Sequence, residues 1–203
     1  MILFDDTSLY VTVESPNIAA NILNNDLQKI HRWSNRWLVK FNPQKTETML
    51  ISCKTIKPLH PPLKMNNHDI QEVLSHKHLG IYFSDNGSWY EHIDYIVKKS
   101  FVRLNILCRF RLVLDRFTLE KKYFSFIRPI LEYGDVIWDS NIHYLADKIE
   151  HVQIEAMRIV TGGTKLTSIN KLYDETGWEK LADRRTNHKL VLFHLMVNRE
   201  VSE

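Results

Sequence analysis

The chain has 203 residues, of which 44% are apolar and 25% charged, with six glycines and six prolines. This is the balance of a globular protein long enough to bury a core without staples, and it excludes collagen-like and low-complexity classes. The formal net charge is only +3, but the segment from Lys98 to Arg128 holds nine basic residues against Asp115 and Glu120, so it carries +7 and the remainder −4. A basic stretch of this density attracts polyanions even in a nearly neutral protein, or forms a solvated helix face. No apolar run approaches ~18 residues, so no membrane span is expected. The opening MILFDDTSLY reaches its acidic pair too early for a secretory leader. Cys53 and Cys108 lack zinc-type spacing and read as reduced core thiols.

The first predicted element is a β-hairpin: Met1 to Phe4, an Asp5-Asp6 turn, then alternation from Leu9 to Val13. Ser15-Pro16 reads as a cap followed by proline at the first helical position. Ile18, Ile22, Leu23, Leu27, Ile30, Trp33 and Trp37 then recur at helical spacing, so a helix is expected to about Leu38. Asn42-Pro43 ends it and leads into a strand from about Glu47 to Cys53. Asn66-Asn67 is a hairpin turn pair between Leu63–Met65 and Ile70–Val73. His76 to Phe83 reads as a further strand, closed by Asp85-Asn86-Gly87.

After Gly87 the period becomes helical. Ser88 is expected to cap a helix with Ile93, Ile96, Val97, Phe101, Leu104 and Leu107 on one face and Lys98 and Arg109 opposite. A second helix starts near Thr118 and must be disturbed at Pro129. A third carries Leu145, Ile149, Val152, Ala156 and Ile159 and stops at Gly162-Gly163. A short helix near Ser168 to Asp174 and a last one from Glu179 to Asn198 follow. The predicted fold class is α+β, with a mixed part over residues 1–87 and an all-helical bundle over 88–203.

Adjacent carboxylates at Asp5-Asp6 repel one another and are stabilised by a hard divalent cation; as a dipeptide they are more often an ordinary turn. His76 and His78 share a strand face but lack a third ligand. Gly162-Gly163-Thr164-Lys165 lacks phosphate-loop spacing and reads as helix termination. The five tryptophans Trp33, Trp37, Trp89, Trp138 and Trp178 fall mostly on apolar stripes and are expected in the core.

Leu3-Phe4-Asp5-Asp6-Thr7-Ser8-Leu9-Tyr10 resembles the aromatic-Ala-Asp-Asp hairpin of reverse transcriptases of non-LTR (LINE-type) retrotransposons. Trp37 to Thr46 is similar to the next palm motif of that family, and His76-Lys77-His78-Leu79-Gly80 to its primer-grip strand. Arg128-Pro129-Ile130-Leu131-Glu132-Tyr133-Gly134 and the Val152-Gln153 to Gly162 stretch resemble the helical region after the palm. Several matches in order are far more specific than any one of them.

The resemblance implies a partial palm followed by a thumb-like helical bundle, in a family that adds deoxynucleotides to a primer 3′-end on a nucleic-acid template with Mg²⁺. It gives Asp5 as a metal-binding carboxylate with Asp6 as its neighbour, and Lys45 as a general acid toward pyrophosphate. It makes Leu79-Gly80 the primer grip. Lys98, Lys99, Arg103, Arg109, Lys121 and Lys122 become the residues that hold template RNA and primer DNA through phosphates.

Two departures stand out. Phe4 abuts Asp5 directly, where the family has one residue between, and that re-aims the strand. The 203 residues also contain neither the fingers nor the earlier palm strand with its own aspartate. The expectation is therefore a C-terminal palm-and-thumb fragment without polymerase activity of its own, because two-metal transfer needs carboxylates from both strands. The alternative is a non-catalytic nucleic-acid-binding helical module. Unpaired palm edges also predict self-association. The sequence leaves open whether the chain is an enzyme by itself, and whether it sits in nucleus or cytoplasm.

Overall fold

The computed structural model describes residues 7–12, 15–39, 41–54, 56–140 and 142–198. The chain divides into two compact units, Met1–Ser88 and Trp89–Glu203, and each is described by itself. Both mixed and all-helical secondary structure are present, which is the α+β class.

In the first unit, α1 (Pro16–Trp37) begins with Ser15 extended at the cap position and Pro16 in the first turn. Proline is tolerated there because its missing N–H has no helical partner in any case. The helix buries Ala20 and Leu27 against Leu63, Met65 and Ile70, with Leu23 and Phe41 packed alongside. Asn24 docks the following segment onto the helix. Its Oδ1 accepts from the Lys64 N–H at 2.9 Å and its Nδ2 donates to the Pro62 carbonyl at 3.2 Å.

The strands of this unit are short. The stretch read as Glu47 to Cys53 reduces to β1 (Glu47–Thr48), which pairs in parallel with β4 (Gln71–Glu72). Beyond β1 the backbone bonds elsewhere, with the Ser52 N–H donating to the Asp85 carbonyl at 2.8 Å. β2 (Lys64–Met65) and β3 (His68–Asp69) form an antiparallel hairpin around Asn66 and Asn67, whose φ angles are 52° and 63°. Two consecutive positive φ values mark the turn whose twist matches antiparallel strands, and asparagine tolerates them.

The strand expected from His76 to Phe83 is a correction. It is a second tight hairpin, β5 (Ser75–His78) and β6 (Ile81–Ser84), turning at Leu79-Gly80 with φ of 46° and 87°. Glycine adopts such angles freely and leucine does not, so Leu79 hides the turn from a composition-based reading. The parallel β1–β4 pair was not foreseen either. Residues 7–12 carry no assigned strand, and residues 1–6 lie outside the described residues.

The second unit opens with α2 (Tyr90–Phe110), whose cap position falls on Trp89 and not on Ser88. It buries Ile93, Ile96, Val97, Leu104 and Leu107. Asp115 caps α3 (Arg116–Lys122) by accepting from the Thr118 N–H at 2.7 Å. A π-helical turn, Tyr123–Ile127, then leads into α4 (Arg128–Glu132). Within it the Arg128 N–H bonds back to the Tyr123 carbonyl, five residues away. A regular helix would drive the Pro129 ring into the carbonyl four residues earlier; the widened turn accommodates it. The disturbance expected at Pro129 therefore lies just upstream of it.

α5 (Asp135–Trp138) is followed by α6 (His143–Thr161), which ends at Gly162 with φ 71°. α7 (Ile169–Thr176) starts at Ser168, and α8 (Leu181–Val197) closes the described chain. The core is built on fully buried Trp138, Tyr123, Ile149, Val152, Met157 and Leu172.

Two sequence expectations fail on burial. Cys53 and Cys108 are exposed free thiols: Cys108 sits on the flank of the α2 stripe, and Cys53 in a segment with no assigned strand. Of the tryptophans, Trp138 is buried, but Trp33 and Trp37 are 42% and 63% exposed. Both fall well round the helix from the narrow arc through Ala20, Leu27 and Ser34 that α1 buries.

Candidate nucleic-acid interface

Asp5 and Asp6 lie outside the described residues. Among the described residues no group of three or more His, Cys, Asp or Glu side chains converges to hold a metal. His76 is joined through Nδ1 to Glu47 Oε2 at 2.7 Å and its ring stacks on His78.

Lys45 is the last residue of a single 3₁₀ turn, Pro43–Lys45. Asn42 Oδ1 fixes that turn by accepting from the Gln44 N–H at 3.0 Å. The side chain is exposed, one residue ahead of β1. Leu79 and Gly80 occupy the β5–β6 hairpin tip, where Leu79 is 64% exposed. The tip thus presents backbone and one apolar side chain outward, a form suited to close approach.

The basic residues fall into two groups. Lys98, Lys99 and Arg109 are exposed on α2. Lys98 pairs with Asp94 at 2.6 Å, one turn earlier, and Lys99 lies over the Tyr95 ring at 5.6 Å. Arg103 points differently: its guanidinium donates to the Phe126 carbonyl at the π turn. That bond satisfies a carbonyl next to the widened turn and ties α2 to the following helix.

Lys121 lies over the Phe117 ring at 4.1 Å and Lys122 over Phe126 at 5.1 Å. Both rings are more than half exposed. Each lysine stands four residues from its ring, so helix geometry stacks cation on aromatic face. Arg128 repeats the pattern over Phe124 at 4.4 Å. Sequence reading found the cations and missed the aromatic partners, although the i±4 spacing was the available signal. It also missed Lys148, whose Nζ lies 4.6 Å from the Tyr90 ring centre and 4.9 Å from that of Tyr144. A hydrogen bond with Tyr144 is the main cause holding its ammonium above the usual lysine range. Paired rings and cations give a surface that offers both charge and stacking faces.

A polar network positions these helices. The Tyr123 hydroxyl donates to Gln153 Oε1 at 2.9 Å, and Gln153 Nε2 donates to the Glu179 carbonyl at 2.9 Å. Tyr173 donates to Glu150, whose two carboxylate oxygens also accept from the Leu181 and Ala182 N–H groups at 3.2 and 3.3 Å. A carboxylate at the first turn of α8 complements its dipole. Burial pushes the Tyr123 phenol well above the usual range, and burial followed by the Glu150 hydrogen bond raises Tyr173 likewise. Arg158 donates to the carbonyls of Thr164 and Thr167 and pins the loop after α6. Glu132 receives Arg184, and Asp139 receives Arg185 at 2.8 Å, which fastens α8 to the α4–α5 segment. Gln153, Arg158 and Glu132 all come from stretches that carry the family resemblance, and all three serve the scaffold.

Comparison with known proteins gives one informative similarity. The chain is 29% identical over 163 residues, 77% of its length, to "Probable RNA-directed DNA polymerase from transposon BS" of Drosophila melanogaster. The chain spans 18% of that protein's length. No family model matches, and no solved structure does. No helix among the described residues is long and apolar enough to cross a membrane. Over most of its length, then, the chain is similar to a transposon RNA-directed DNA polymerase, in agreement with the motif order.

Proposed function

We propose that the chain is a palm-and-thumb portion of a non-LTR retrotransposon reverse transcriptase, and that its helical unit holds a template–primer duplex. The observation that carries this reading is the 29% identity across 77% of the chain. The i±4 cation–aromatic pairs of α2 and α3 support the nucleic-acid contact independently, because phosphate binding by lysine and base stacking on exposed rings work together.

Within that reading Lys98, Lys99, Arg109, Lys121 and Lys122 meet phosphates. Arg103 does so only if it gives up the Phe126 carbonyl. The hairpin tip at Leu79-Gly80 lies against the primer end, where the glycine permits backbone approach. Lys45 stands ready to donate a proton to the leaving pyrophosphate. Asp5 and Asp6 contribute carboxylates toward Mg²⁺, which when bound neutralises charge on the transferring phosphate. One acidic pair does not fix two ions. The 203 residues alone are therefore expected to bind template–primer without extending it.

The test is primer extension and duplex binding by the 203-residue polypeptide on an RNA template. Salt-sensitive binding without extension supports the proposal. Extension that depends on Asp5 overturns its inactivity, and absence of binding overturns the assignment of the helical face. A second reading, a non-catalytic nucleic-acid-binding helical module, rests on the same cation–ring pairs. It is favoured if binding shows no preference for template–primer over plain duplex.

A further inference from the structure

A cleft of about 380 Å³ lies between the C-terminal half of α2 and the end of α6 with its following loop. That volume is within the ~300–1,000 Å³ of small-molecule sites. Its apolar lining is Phe101, Leu104 and Ile159. Arg111 and Lys165 line it as well, with the Asn105 amide and the Thr164 hydroxyl group.

The charge balance of the cleft is unusual. Glu155 and Arg158 also line it but pair with each other at 3.2 Å. Arg158 is further committed to the Thr164 and Thr167 carbonyls. Arg111 and Lys165 have no carboxylate partner among the described residues, so the cleft carries two uncompensated cations. The carbonyl ends of α2 and α6 border it and favour cations there, but they supply only partial charge. Gly162 to Lys165, read from sequence as a helix stop, thus also forms one wall of this cleft.

The geometry points to a binding site for a nucleoside phosphate, with the base against Phe101, Leu104 and Ile159 and the phosphate between Arg111 and Lys165. An apolar wall suits a base, and Asn105 offers a donor and an acceptor to its edge. Two cations with no other partner suit a dianionic or bridging phosphate. The ligand is either a free nucleotide or one unpaired nucleotide of a single strand. This site is separate from the cation–ring pairs of α2 and α3 and does not rest on the polymerase reading.

Cys108 lines the same cleft and is an exposed free thiol, so it reports occupancy. The experiment uses the full chain with Cys53→Ser, which leaves Cys108 as its single thiol. The alkylation rate is followed with added nucleoside monophosphate, a short single-stranded oligonucleotide, or inorganic phosphate. Slowing by the mononucleotide identifies a free nucleotide, and slowing by the oligonucleotide alone identifies a single strand. Either result supports the site. Arg111→Gln or Lys165→Gln should then weaken protection by roughly tenfold, while Lys29→Gln, on α1 and outside the cleft lining, leaves it unchanged. No protection by either nucleotide probe, equal protection by inorganic phosphate, or protection indifferent to Arg111→Gln and Lys165→Gln would overturn the inference. Duplex binding is measured in parallel by filter binding, so failure of this site and failure of the proposed function are read separately.

Discussion

Tyr123 and Trp178 stack face to face, with ring centres 4.5 Å apart and planes within 8°. The Tyr123 hydroxyl is held at the same time by Gln153. One buried residue of the π turn therefore joins the first helices of its unit to the segment entering α8. The basic face of α3 and the C-terminal helix are parts of one packed assembly.

Gln153→Leu should expose how far this junction matters. The substitution keeps the volume but leaves the Tyr123 hydroxyl and the Glu179 carbonyl without their present partner. A loss of about 2–4 kcal/mol is expected from such unsatisfied buried groups. Urea unfolding of both proteins by circular dichroism measures it, and a change within error would show that the network is dispensable.

The raised phenols predict alkaline sensitivity. Tyr123 and Tyr173 both lie above the ordinary value of 10.0 in the folded state. The unfolded chain therefore loses these protons first as pH rises. The stabilisation is complete below pH 10 and declines from there upward toward the folded values. Tyrosinate absorbance should lag at these groups until the helical signal collapses. In Tyr173→Phe the alkaline decline should be shallower.

Hairpin β5–β6 gives a prediction of opposite signs. Leu79 occupies a φ that costs a side-chain-bearing residue roughly 1–2 kcal/mol, so Leu79→Gly should stabilise the first unit. Gly80→Val should destabilise it by a similar amount. Thermal melts decide, and parallel shifts of both variants would refute the turn geometry.

Nucleic-acid binding should fall steeply with salt, the slope being about 0.9 per phosphate neutralised. Replacing Lys98, Arg109, Lys121 and Lys122 by glutamine should flatten that slope. Phe117→Ala and Phe126→Ala should weaken single-strand binding by ~1–3 kcal/mol per lost stacked base and leave the slope alone. Titrations at several salt concentrations separate the two effects.

Ile18, Ile22, Trp33 and Trp37 are exposed on α1, and apolar surface of this kind favours association. Light scattering of the purified chain should show concentration-dependent oligomers that Trp33→Gln with Trp37→Gln reduces. A monomer at every concentration would remove this expectation.

The helices were legible because their information is local. Pro16 starts α1, Gly162 ends α6, and apolar spacing fills both. Of the strands, the β2–β3 hairpin was legible too, through Asn66-Asn67 at its turn, and the others were not. β1 is two residues long because Ser52 bonds to Asp85, a distant partner that no local pattern encodes. The β5–β6 turn was hidden by a leucine at a left-handed position. Trp33 and Trp37 lie on the helical stripe by count, but the face that α1 buries is narrower than the stripe. For the interface, charge density marked the right segment. Which cation meets a ring, a carboxylate or a carbonyl depends on rotamers and on neighbouring helices.

The widened turn at Tyr123–Ile127 has one more effect, on rhythm. Leu119, Tyr123, Ile127 and Leu131 are all buried, a strict step of four. In a regular helix four residues overshoot a full revolution by about 40°, so such a series would wind off the inner side within a few steps. The looser coil takes that overshoot back and keeps the quartet in a single file. Deleting one residue inside it, Ser125 for example, would turn the steps into four, three and four, which a regular helix also keeps on one side, but would drive the Pro129 ring into the preceding turn.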